Sequence, residues 1–266
     1  MNKTLRNIFL GIILFLLCGP LVIVSGVSLN AKKRLFFPPD GISLRWYAEL
    51  LTEKSWMIPV QNSLTIATAA SLIALSIALP LAYFLWRYRV FYARALFTLG
   101  ISPFILPPVI TALGFLSFWV TIGFYGKMMA TVISHAIFFV TLPLVTVSLG
   151  FESIDHEIVE AAETMGANSR TVFGTVIFPM IRPYMISGYA FAFVLSLNEY
   201  IVAYMVAGFT VETLPIKIFN SLRYGYTPVM ASVTVVFVLL AAVIFGLIGR
   251  FGDLPKLLGA MQPEEK

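Results

Sequence analysis

The chain has 266 residues, of which 59% are hydrophobic and only 12% charged, and its formal net charge is +5. That balance, with a mean hydropathy of +0.91, excludes an ordinary soluble domain. One cysteine, Cys18, excludes an internal disulfide, and no stretch interleaves basic and aromatic residues in a soluble module, so no nucleic-acid partner is expected.

Apolar runs of roughly the 20 residues needed to cross a hydrocarbon core cover Ile8–Leu29, Ser63–Trp86, Ala95–Val120, Met128–Gly150, Tyr184–Ala207 and Val229–Ile248. The runs are continuous and show no period-two alternation, so each reads as a helix and not as a barrel strand. The expectation is an all-α membrane protein with six transmembrane helices, forming a single membrane domain over residues 1–266. The first run follows Lys3 and Arg6 and is longer than a signal-peptide core, so it reads as an uncleaved anchor. Within it, "FLLCG" carries Leu17 where a lipoprotein cleavage site wants a small residue. Cys18 reads as filler facing lipid or a neighbouring helix.

An even number of spans puts both ends on one side. Lys3, Arg6 and the short "RYRVFYAR" loop with Arg87, Arg89 and Arg94 place that side in the cytoplasm, and Lys32, Lys33 and Arg34 just beyond the first span oppose it. The expected location is the inner (plasma) membrane, multi-pass, with both termini cytoplasmic.

After the first span, Pro38, Pro39, Asp40 and Gly41 form a turn cluster. "SLRWYAELL" then reads as an amphipathic helix with Leu44, Tyr47 (or Ala48) and Leu51 on one side. Trp46, Tyr47 and Trp56 suit a membrane interface, and contact with a partner is the alternative. In the second span Ala70, Ala74, Ala78 and Ala82 recur every four residues, a spacing that lets helix backbones approach closely in lipid. Pro80, Pro107, Pro108 and Pro143 are expected to kink or open their helices.

Catalytic patterns are missing from the sequence. His135 lies in an apolar run and His156 in an acidic loop, without metal-ligand spacing; they read as a satisfied core histidine and a solvated loop histidine. "GFYGK" has the wrong spacing for a phosphate loop. If the protein uses ATP, the site belongs to another chain.

Between the fourth and fifth spans lies a polar stretch, "EAAETMGANSRTVFGTVIFPMIRP", in the loop 151–182. A first helix capped by Ser153 or Asp155 carries Ile154, Ile158, Ala161 and Met165 at helical spacing. Asp155 and Glu157 complement its dipole. Gly166 stands where a left-handed C-terminal cap belongs. A second short helix starts at Asn168 or Ser169, shows Val172, Phe173 and Val176 on one face, and is expected to close at Pro179. Such a hairpin rests on the bilayer or meets a protein. Its acids, Glu152, Asp155, Glu157, Glu160 and Glu163, favour a protein over an anionic leaflet.

Glu160-Ala161-Ala162, three residues, Gly166, nine residues and "VIFP" ending at Pro179 resemble the EAA loop of ABC importer permeases, with Val176 and Phe178 as conservative departures. The resemblance implies a type I importer permease fold in which this loop is the cytoplasmic coupling element. It further implies docking on a separate ATPase that holds ATP and Mg, with no cofactor in this chain. The implied partners are a second permease subunit, two cytoplasmic ATPase subunits, an extracytoplasmic substrate-binding protein and membrane lipid. The chain itself would be non-catalytic. An ion-gradient-driven secondary transporter is the alternative; it leaves the acidic hairpin unexplained.

In the fifth span, "LSLNEYIVAYMVAG" places Asn198 and Glu199 deep in an apolar run. An intramembrane acid faces a substrate path, or it pairs with another helix or stays protonated through burial, and both readings stand. The region resembles the second permease of spermidine/putrescine systems. There an acidic pair occupies these positions, and Asn198 departs from it, which leaves opines, aminoethylphosphonate and other small organic nitrogen compounds open beside polyamines.

Overall fold

The structure is a computed structural model that describes residues 3–88, 91–225 and 227–251. Arg89 of the short basic loop lies outside the described residues. Two compact units divide the chain: Met1–Pro59 with Lys217–Ala242, and Val60–Ile216 with Val243–Lys266.

In the first unit, α1 (Lys3–Ser28) leads into a loop organised by Asn30. Asn30 is fully buried. Its Oδ1 accepts from the backbone N–H groups of Lys32 and Asp40, and its carbonyl accepts from Trp46 Nε1 at 2.6 Å. Helix α2 (Arg45–Thr52) is amphipathic as expected, but its buried face is Trp46 and Leu50, while Leu44 and Leu51 are exposed. The indole bond to Asn30 sets that rotation, because a buried Trp N–H requires an acceptor. Tyr47 still meets α1, its hydroxyl 2.7 Å from Ser28 Oγ.

Helix α3 (Lys54–Tyr88) is the second span. The third run does not form one helix: α4 (Phe91–Ile105) and α5 (Pro108–Thr121) meet at 109°. Pro107 is extended, with ψ 131°, and Pro108 starts α5, as expected where a proline drives its predecessor out of helical conformation. The fourth run, α6 (Met128–Phe139) and α7 (Thr141–Glu152), bends by 42° at Val140. Pro143, in the first turn of α7, can donate no bond back to Phe139. Then come α8 (His156–Thr164), α9 (Ser169–Val172), a π turn (Phe173–Ile177) and α10 (Phe178–Asn198). The described residues continue through α11 (Ile201–Ala207), α12 (Leu214–Tyr224) and α13 (Val229–Phe251). Among the described residues four helices are long and apolar enough to cross a membrane, or six spans if each bent pair counts as one.

The core of the second unit follows from the alanine repeat. Ala74, Ala78 and Ala82 are no more than 1% exposed and share a cluster with Leu144, Val147 and Phe151 of α7 and Ile181 of α10. A second cluster joins Ala112 and Trp119 of α5 to Phe138 and Phe139 of α6 and Val202 and Val206 of α11. Helices α7 and α10 pack backbone to backbone at Gly188, where a Cβ would lie 2.6 Å from Pro143 Cα.

Gly188→Val therefore forces the two helices apart, a loss of roughly 1–3 kcal/mol. A thermal unfolding scan in detergent should show a clear drop in midpoint, whereas Gly114→Ala, which meets nothing within 4 Å, should show none. An unchanged midpoint for Gly188→Val would contradict this packing.

Candidate functional site

The polar stretch folds as a capped two-helix hairpin. Asp155, not Ser153, is the N-cap of α8, and its Oδ1 accepts from the N–H of Glu157 at 2.9 Å. At the far end Gly166 adopts φ +87°. Its N–H donates to the carbonyl of Glu163, and the Ala167 N–H to that of Ala162, the six-to-one and five-to-two pair that ends a helix with a left-handed residue. Asn168 caps α9, accepting from the N–H of Thr171 at 2.9 Å. Every turn of the hairpin is thus fixed by a local bond.

Its burial differs from the expected stripe. Ile154 is buried, but α8 is turned so that Val159 and Ala162 meet the core while Ile158, Ala161 and Met165 face outward; Met165 is 89% exposed. The rotation follows from neighbours on α3. Trp86 is stacked against Phe151 on α7 and, nearly parallel at 7°, against His156, so His156 is exposed yet packed. One residue on, Arg87 holds Glu163 at 2.8 Å. In α9 and the π turn, Val172 and Ile177 are buried, and Phe173 and Val176 pack on the same cluster. The outward face of α8 therefore carries Ile158, Ala161 and Met165 together with Glu157 and Glu160.

Pro179 does not close the second helix. The chain runs helically from Ser169 to Asn198, and the π turn accommodates the proline. Phe178 N–H donates back to Phe173, five residues earlier. That slip places Pro179 in the first turn of α10, where its missing N–H has no helical partner to lose. The hairpin is thereby continuous with the fifth span.

That span breaks at Glu199, between α10 and α11. Asn198 is exposed and donates from Nδ2 to the Val194 carbonyl at 2.8 Å. The Glu199 side chain is only 7% exposed. Its Oε1 accepts from the N–H of Val202 at 2.8 Å and its Oε2 from that of Ala203 at 3.0 Å. His135 Nε2 lies 3.2 Å from Oε2, within ion-pair distance but out of line for a hydrogen bond. His135 Nδ1 is 2.8 Å from Ser196 Oγ. The structure thus brings the two predicted residues to one break but turns them differently, and it adds His135 and Ser196. The signal for His135 was its own intramembrane position: two ionisable groups in otherwise uncharged runs seek each other.

The sequence profile described as "binding-protein-dependent transport system inner membrane component" matches residues 70–253. The chain is 33% identical to the putrescine transport system permease protein PotI of Escherichia coli (strain K12), covering 94% of this chain and 89% of that one. It is 28% identical to the spermidine/putrescine transport system permease protein PotC of Haemophilus influenzae, covering 90% and 93%. Among solved structures it resembles a chain of a bacterial ABC transporter involved in the import of the acidic polysaccharide alginate. The TM-score is 0.72 at 17% identity, with 93% and 95% of the two chains covered, which gives the type I importer permease fold. The relatives are ABC permeases, and nothing among them favours the ion-gradient alternative. The chain belongs to the family of binding-protein-dependent transport system inner-membrane components, the membrane-spanning permease subunits of ABC importers.

Proposed function

We propose that this permease carries a polyamine such as putrescine, or a related small organic nitrogen compound, and that the hairpin α8–α9 is the element through which a separate ATPase drives it. The single observation that carries the coupling half is the outward face of α8. Ile158, Ala161 and Met165, edged by Glu157 and Glu160, stand exposed on a hairpin whose other face is locked to α3, α7 and α10. A helix with a free apolar ridge and an acidic edge fits a cleft in a protein better than an anionic membrane surface. The names of the relatives PotI and PotC support the substrate class.

In this reading two cytoplasmic ATPase subunits, holding ATP and Mg, grip the hairpins of this chain and of a second permease subunit, identical or homologous. An extracytoplasmic binding protein delivers the substrate. The chain itself hydrolyses nothing, and its termini face the cytoplasm with the hairpin. Glu160, Ala161 and Ala162 sit at mid-helix, with Ala162 against the core. Gly166 makes the turn that keeps the two helices stiff, and Pro179 joins α9 to the span. Rigidity matters because a hairpin continuous with the fifth span transmits a pull as displacement of that span, which a floppy loop would dissipate. Asn198, exposed where the span breaks, is the candidate for contact with the substrate.

With Cys18 replaced by serine, single cysteines on α8 report which face is covered. Ile158→Cys and Met165→Cys should cross-link to the ATPase subunit in the assembled transporter, and Val159→Cys should not. Cross-linking that is equal at all three positions, or confined to Val159→Cys, would contradict the docking face. Arg87→Glu should leave the unfolding midpoint almost unchanged, since a half-exposed ion pair is worth about 1 kcal/mol or less. It should nonetheless lower putrescine uptake per ATP hydrolysed, and Glu163→Arg in the same chain should restore it. Wild-type uptake per ATP in Arg87→Glu would remove this pair from the coupling path.

A further inference from the structure

A chain that breaks between two helices leaves the first N–H groups of the second without carbonyl partners, and where the break is buried those donors must find acceptors within the protein. At the break between α10 and α11 those donors are Val202 and Ala203, and Glu199 answers them with one oxygen each. A buried carboxylate in turn needs a compensating partner. His135 Nε2 on α6 stands 3.2 Å away. The two groups face each other at contact distance, out of line for a hydrogen bond. The other ring nitrogen is tied to Ser196, three residues before Glu199 on α10. His135 and Ser196 are 1% and 4% exposed. Helix α6, the end of α10 and the start of α11 are thus joined through one closed polar cluster in an apolar surround, with Phe139 edge-on to the imidazole.

Such an arrangement differs from what a cation path requires. A path residue presents an oxygen to a water-filled space, whereas both Glu199 oxygens are engaged with backbone and the side chain is 7% exposed. Its neighbour Asn198 is the one that faces outward. We propose that Glu199 is a positioning residue: with His135 and Ser196 it pins the break in the fifth span, and substrate meets the surface that the break presents, Asn198 included, instead of the carboxylate. The inference rests on the permease reading of the chain and leaves the identity of the substrate open.

The test is a double-mutant cycle on the intact transporter in lipid nanodiscs, using Glu199→Gln, His135→Phe and the pair together. Each single variant should lower the unfolding midpoint by about 4 °C. The double variant should fall no more than about 2 °C below the worse single one. In proteoliposomes the maximal rate of putrescine uptake should fall about tenfold in Glu199→Gln, while the concentration for half-maximal uptake shifts less than about twofold. Strictly additive midpoints would overturn the proposal. So would an unchanged midpoint with a tenfold rise in the half-maximal concentration, which would mark a direct contact. If wild-type protein takes up no putrescine, the polyamine assignment fails, and the midpoint cycle, read without substrate, still decides the role of Glu199. Should Glu199→Gln fail to assemble, Ser196→Ala, which removes only the Nδ1 partner, takes its place in the cycle with the same expected coupling to His135→Phe.

Discussion

Inside a bilayer each backbone N–H and carbonyl must find its partner within the protein, and every departure from a straight helix has to meet that condition. The carboxylate of Glu199, accepting from two N–H groups at the start of α11, is the bond pair that lets the chain change course where α10 ends. The same condition shapes the other irregular points. Pro108 begins a helix, so its missing donor costs nothing there. The π turn before Pro179 shifts the register by one and lets a polar hairpin flow into a span without a gap in its bonding. Irregular backbone in this permease is concentrated where polar atoms have been supplied for it.

A second consequence concerns how motion is carried. The alanine repeat of α3 brings that helix close to α7, and Gly188 brings α7 close to α10. The hairpin is fastened to the same cluster through Val159, Val172 and Ile177 and at its edge through Arg87 and Glu163. The hairpin is therefore tied to the fifth span by two routes, through α9 and the π turn along the chain and through packed side chains across it. The break at Glu199 lies at the far end of that span, so the hairpin and the break stand at opposite ends of one helical stretch.

Much of this was legible in the residues. Long apolar runs located the membrane helices, because hydrocarbon admits little else. The four-residue alanine spacing announced close packing, and the pairs Ser153/Asp155 and Asn168/Ser169 together with Gly166 announced the ends of the hairpin to within a residue or two, because caps depend on local chemistry alone. The rotation of α8 and α2 was not legible. Which of Ile158 and Val159 turns inward depends on Trp86 and Arg87, some seventy positions earlier, and which side of α2 is buried depends on the Trp46 bond to Asn30. Hydrophobic spacing was ambiguous between adjacent faces in both helices. The sharp fold of the third run was foreshadowed by the Pro107–Pro108 pair, though its 109° turn was not. At the candidate site the acid at Glu199 was conspicuous, while its commitment to backbone and to His135 arises from tertiary placement that no local pattern records.

The central claim is that this chain couples a cytoplasmic ATPase to passage of an organic nitrogen compound. The most direct measurement is ATP hydrolysis by the complex purified on this subunit, reconstituted in lipid with its cognate binding protein and putrescine. Hydrolysis that rises when loaded binding protein is added, and stays at its basal rate with unloaded protein, is the result this account predicts. If no ATPase accompanies the chain, or if putrescine crosses the membrane under an ion gradient without ATP, the account is contradicted.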